Sequence, residues 1–164
     1  MVRAAFLFLL AAAALVGAGC GAVAHMTDSS GNAAQGKVLF KMSTLPGGKP
    51  GCATCHTLAD AGTSGTVGPN LDDAFGFDKK QGFDISTIRD VVRGQIAYAT
   101  SSTGAGIGGR KPPGIEYPGM PDNLATGQNA RDIAAYVGAC SGLPVLTGSQ
   151  LAAAKQQCEQ ALRG

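Results

Sequence analysis

Cys52-Ala53-Thr54-Cys55-His56 concentrates more chemistry than any other segment of the chain. Two cysteines three residues apart lie on one face of a helical turn, where their thiols can add to the two vinyl groups of one porphyrin. The adjoining histidine then reaches the iron from the same side. Attachment and ligation share five residues, and the motif reads as the attachment site of one c-type haem. The competing readings are a thioredoxin-like redox pair and half of a zinc site. A redox pair needs a βαβ context, which the sequence lacks, and zinc needs two more Cys or His ligands at matching spacing. Outside the motif there are His25 near the start and Cys140 and Cys158 far downstream, which do not supply that spacing.

Positioning such a motif falls to a chain of 164 residues, enough for one domain. Its 25 glycines and 15% charged residues describe a loop-rich protein, and 45% hydrophobic content is ample for a core. Aromatics are few and tryptophan is absent, so the core is built mainly from small aliphatics, a deficit that a flat apolar cofactor would make up. Ala34, Val38, Leu39 and Met42 recur at helical spacing, with Ser30 or Asn32 able to cap the start and Pro46-Gly47-Gly48 ending the run. Residues 57–83 read as loop with at most a turn of helix near Leu71 to Phe75. Asp84 opens a short helix through Ile85, Ile88, Val91 and Val92, with Gly94 placed to end it. A Gly/Ser/Pro-rich loop fills 99–119. Thr126 caps a helix through Ile133, Tyr136 and Val137 that ends near Gly138, and Ser149 caps a last one through Leu162. No segment alternates with a period of two, so the predicted fold class is all-α with long loops.

Further motifs stand in order around the first. Gly36 and Phe40 precede it, Gly68-Pro69-Asn70-Leu71 and Tyr117-Pro118-Gly119-Met120-Pro121 follow, and Ile133 and Tyr136 come last. In these residues the chain resembles the class I cytochromes c, small His/Met monohaem electron carriers, over about residues 32–139. The resemblance implies their fold around one haem c bound covalently through Cys52 and Cys55. It implies Gly36 and Phe40 packed against the helix of Ile133 and Tyr136, and a Pro69 carbonyl that accepts a hydrogen bond from His56. It also implies iron ligation by His56 and Met120. Residue chemistry favours Met120 as well: Pro118-Gly119 before it and Pro121 after it disfavour helix and leave the thioether free to point inward, against the alternative of a core-filling methionine. Met42, Met26, His25 and the deprotonated amines of Lys79 or Lys80 are the competitors. Three departures stand out. The stretch Ser101 to Gly109 has no counterpart; Tyr98, Arg110 or Lys111 must replace the missing tryptophan at the propionates; and a helix from Ser149 to Arg163 lies beyond the usual end of the fold.

Cysteine arithmetic addresses that extension. With Cys52 and Cys55 claimed by the cofactor, Cys140 and Cys158 can pair as a disulfide or remain two buried thiols, and Cys20 is left over. The chain opens with Arg3 and an apolar run from Ala4 to Val16, followed by small residues to Ala24, which is the order of an export signal. Cys20 resembles a lipidated cysteine, Ala22-Val23-Ala24 suits cleavage before His25, and the run is also long enough to stay as a membrane anchor. The expected organisation is a signal, lipobox or anchor at 1–24, a tether at 25–31, the cytochrome domain at 32–139 and a helical, disulfide-pinned extension at 140–164.

A haem held by His and Met has no open coordination position, and no hydrolytic constellation is visible, so the expected function is electron transfer rather than catalysis. The expected carrier is an exported, membrane-tethered monomer or complex subunit at the outer face of the cytoplasmic membrane or in the periplasm. Its partners would be redox proteins such as a quinol-oxidising complex, a terminal oxidase or a periplasmic reductase. A haem-bearing subunit of a respiratory complex is the alternative, followed by a haem peroxidase or gas-reacting cytochrome. Lys and Arg are dispersed and nearly balanced by acids once Arg3 is set aside, which argues against a nucleic-acid partner.

Overall fold

The computed structural model describes residues 31–102 and 119–164; Cys20, the segment expected to be a signal, lipobox or anchor, the expected tether up to residue 30, and residues 103–118 lie outside them. Five α-helices dominate the described residues. Helix α1 (Ala33–Lys41) starts where the Asn32 side chain accepts from the Gln35 amide, satisfying a donor that has no partner inside the helix. It ends at Lys41, earlier than Pro46, because Met42 turns extended. The apolar periodicity holds at Leu39 and fails at Val38: Ala33, Gly36, Leu39 and Phe40 are buried, while Val38 is 58% exposed.

Gly36 explains the difference. A Cβ there would collide with the backbone of Asp132 and lie 2.8 Å from the Tyr136 Cβ, so only glycine lets α1 lie directly on α4 (Gly127–Cys140). Asp132, 4% exposed, closes the junction by accepting the Asn32 amide at 2.7 Å and the Gln128 side-chain amide at 2.7 Å. Phe40 and Tyr136 meet edge to face across the crossing with ring centroids 5.7 Å apart. Residues 132–140 of α4 and the two residues after it are buried throughout, so this helix is the axis of the core.

Two short antiparallel ladders occupy stretches expected to be plain loop. Strands β1 (Thr44–Leu45) and β2 (Lys49–Pro50) pair, as do β3 (Thr57–Leu58) and β4 (Thr63–Ser64). Residues 71–80 are not a single turn but a full helix, α2 (Leu71–Lys80). Asn70 caps it by accepting from the Asp72 amide, and acids in its first turn and lysines in its last complement the helix dipole. Helix α3 (Ile85–Ser102) runs through Gly94, which lies in open space, and departs from helical geometry at Tyr98.

Helix α5 (Gly148–Arg163) packs on α1 and α4, and a disulfide joins Cys140 at the end of α4 to Cys158. Between them the chain turns through Gly142, whose φ of +80° favours glycine and whose position leaves no room for a Cβ against the backbone of Gly76. Beside the disulfide, Asp60 accepts from the Tyr136 hydroxyl at 2.7 Å and from Lys37 at 2.9 Å. Lys79 reaches over from α2 and donates to the carbonyls of Ala139 and Ser141 at 3.1 and 2.7 Å, supplying a cation to the C-terminal end of α4.

Two outcomes follow. Breaking the disulfide releases a loop of 18 residues, so in the entropic account reduction lowers unfolding free energy by about 3 kcal/mol, measured as a fall in melting temperature on adding reductant. Tyr136→Phe removes a hydrogen bond to a charged acceptor, worth about 1.5–3 kcal/mol. Burial first, then Asp60, pushes the Tyr136 hydroxyl well above its ordinary pKa. The folded state therefore holds that proton while the unfolded state gives it up above pH 10, and this stabilisation is present below pH 10 and lost as pH rises. Denaturant titrations of both proteins should show the gap between them shrinking above pH 10 by about 1.4 kcal/mol per pH unit.

Candidate functional site

Cys52 to Thr54 form a turn of 3₁₀ helix in which the Cys55 and His56 amides both donate to the Cys52 carbonyl, at 3.1 and 2.9 Å. The turn carries both thiols and delivers His56 to the next position. Its start is fixed from outside: the Gly51 amide donates to the Ser43 carbonyl at 2.9 Å, and the Thr54 hydroxyl returns to the Gly51 carbonyl at 2.6 Å. Neither Cys52 nor Cys55 is in a disulfide. Burial, aided by Cys55, pushes the Cys52 thiol up to about 11. A redox dithiol needs the opposite shift, since the thiolate is the nucleophile, so the pair is poorly suited to thiol–disulfide exchange.

His56 is fixed on three sides. Its carbonyl accepts from the Thr63 hydroxyl at 3.0 Å, and the Gly68 amide donates to the Cys55 carbonyl at 2.8 Å. Its ring nitrogen Nδ1 lies 2.8 Å from the Pro69 carbonyl. A carbonyl can only accept, so Nδ1 carries the proton and Nε2 keeps its lone pair for a metal. Burial lowers the pKa of the imidazole, with the Pro69 contact opposing, which keeps the ring neutral at neutral pH. Gly68 forms the seat beneath it: a Cβ there would lie 2.5, 2.8 and 3.0 Å from ring atoms Cε1, Nδ1 and Nε2.

Met120 lies in non-helical chain, half-buried against the core. The segment behind it is tied down where the Leu124 amide donates to the Ile96 carbonyl at 3.3 Å. Among its competitors, Lys79 is committed to Ala139 and Ser141, and Met42 sits at the end of α1, 37% exposed. Tyr98 is 66% exposed, while Arg110, Lys111, Tyr117 and Pro118 lie outside the described residues. Among the described residues the one cluster with metal-ligand composition is Asp60, Cys140 and Cys158. Its sulfurs are bonded to each other, so nothing here completes a zinc site around Cys52 and Cys55.

Two free thiols on the turn that presents a neutral imidazole with an available nitrogen fit a covalently held haem iron. The roles of Gly68 as ring seat and of Asp72 as a buried anchor were not recognised from the sequence; the first was visible only as part of a motif, and the second had no local signal.

A family model described as Cytochrome c matches residues 33–140, about two thirds of the chain. Neither a curated protein nor a solved structure matches it. Helix α5 lies beyond the matched region.

Gly68→Ala should displace the His56 ring and lower unfolding free energy by about 1–3 kcal/mol, the usual range for overpacking. Ring proton resonances and a denaturation midpoint both unchanged would show that contact with residue 68 does not hold the imidazole.

Proposed function

The chain belongs to the cytochrome c family, whose members generally transfer electrons on covalently bound haem c, and from that premise we propose that it is an exported one-electron carrier with one haem. The observation that carries this reading is the His56–Pro69 contact of 2.8 Å beside two unpaired thiols. Cys52 and Cys55 would bind the porphyrin as thioethers, each on the same turn that presents His56. His56 would ligate through Nε2, held in the correct tautomer by the Pro69 carbonyl. Met120 would supply the second protein ligand to the iron. When bound, the haem supplies a ferric/ferrous couple, and thioether ligation favours the ferrous state.

With His56 and Met120 both holding the iron, small molecules would be kept from it, and outer-sphere transfer would be favoured over peroxide or gas chemistry. The sequence from Arg3 to Ala24 supports export, with Cys20 as candidate lipidation site, cleavage after Ala24, or retention as an anchor. Among the described residues no helix is long and apolar enough to cross a membrane. The partners would be redox proteins: a quinol-oxidising complex, a terminal oxidase or a periplasmic reductase. With a formal net charge of only +2, steering by long-range electrostatics is weak and affinity modest.

Met120→Ala tests the assignment. The variant should retain covalent haem, as measured by the alkaline pyridine spectrum of denatured protein, yet show a lower reduction potential and bind carbon monoxide when reduced. Retention of the wild-type potential together with exclusion of the gas would place another residue on the iron.

A further inference from the structure

Asp72 is 3% exposed, and no step above uses it. Its Oδ2 accepts the Ala59 amide at 2.6 Å and its Oδ1 the Gly142 amide at 2.8 Å. Ala59 stands three residues beyond His56, and Asp72 three residues beyond Pro69. Two rungs therefore join the same two segments at equal spacing, one from the His56 ring to the Pro69 carbonyl and one from the Ala59 amide to the Asp72 carboxylate.

We propose that Asp72 is a positioning residue for the iron-ligating histidine: by holding segment 69–72 against segment 56–59 it sets the His56–Pro69 hydrogen bond that orients the imidazole. This rests on the reading of His56 as a ligand. A carboxylate suits the task because its hydrogen bonds to amides are stronger than neutral ones and its two oxygens serve two amides at once. The second oxygen anchors the rung to the turn after Cys140, so the histidine loop is braced against the C-terminal frame rather than only against itself. Helix capping does not account for Asp72, since Asn70 performs that task on α2 and the oxygens of Asp72 meet amides outside the helix.

The test uses haem-loaded, reduced protein, in which the His56 Nδ1 proton and the amides of Ala59 and Gly142 are followed by hydrogen exchange in NMR spectra. In Asp72→Asn one oxygen becomes a donor and a rung is lost. Exchange of the His56 ring proton and the Ala59 amide should accelerate roughly tenfold or more, the factor that corresponds to a loss of about 1.4 kcal/mol in local opening. The reduction potential should rise as the imidazole becomes a weaker donor. Asp72→Glu keeps the charge but lengthens the arm, and should give an intermediate acceleration; it decides the matter if the asparagine variant does not fold. Ring-proton exchange at the wild-type rate overturns the proposal, whether only the Gly142 amide loosens or the potential shifts through charge alone. Haem content and the Met120→Ala result judge the ligand assignment separately.

Discussion

The contact between the backbones of α1 and α4 at Gly36 is the constraint on which the rest of the molecule depends. Two helices can approach this closely only where one surrenders its side chain, and the Asp132 backbone occupies the space a Cβ would take. That crossing sets Phe40 against Tyr136 and brings Lys37 to Asp60. Through Gly51 and the short β1–β2 ladder, the chain leaving α1 then delivers the Cys52–Cys55 turn at a fixed height beside the core. Loss of the crossing would detach the turn from its support while leaving its own hydrogen bonds intact.

Two buried acids and one half-buried acid do the remaining tying. Asp132, Asp72 and Asp60 each accept hydrogen bonds from groups 70 to 100 residues away in the chain, and each does so at an end or edge of regular structure where amides or a hydroxyl lack other partners. In a loop-rich protein such carboxylates replace the ladders that a sheet would supply. Their burial is tolerated because their oxygens are paired, whereas an unpaired buried carboxylate would be costly. Lys79, its amine pushed down to about 8 by burial with Asp72 opposing, is the matching cation at the carboxyl end of α4.

Covalent chemistry was the most legible part of the sequence. Thioether attachment, as proposed, would fix the spacing of Cys52, Cys55 and His56, so the pattern is visible in one dimension, and the all-α class follows from helical periodicity around it. What escaped were features whose cause is tertiary. Periodicity alone puts Val38 in the core and passes over Gly36, because it does not register a contact made by backbone; the motif resemblance is what marks Gly36 as a packing position. Gly94 looked like a helix end, but nothing at that position requires a left-handed residue or an approaching neighbour. Helix α2 was under-read although its signals were present: Asn70 as cap, Asp72 and Asp73 in the first turn, Lys79 and Lys80 in the last. Scattered glycine and aspartate masked them. The partners of Asp72 are amides from two distant loops, and no local pattern encodes such a meeting.

Joining residue 32 to residue 132 has a kinetic consequence as well as an architectural one. The first helix of the domain cannot bury its inner face until a segment a hundred positions later has been made, and closure of so long a loop must be completed before its contacts stabilise anything. A chain synthesised from its N-terminus therefore passes through a long interval in which the Cys52–His56 turn exists without its supporting core. During that interval both thiols are reachable; once α4 arrives, Cys52 is enclosed. The order of the elements thus leaves Cys52 open early and encloses it late.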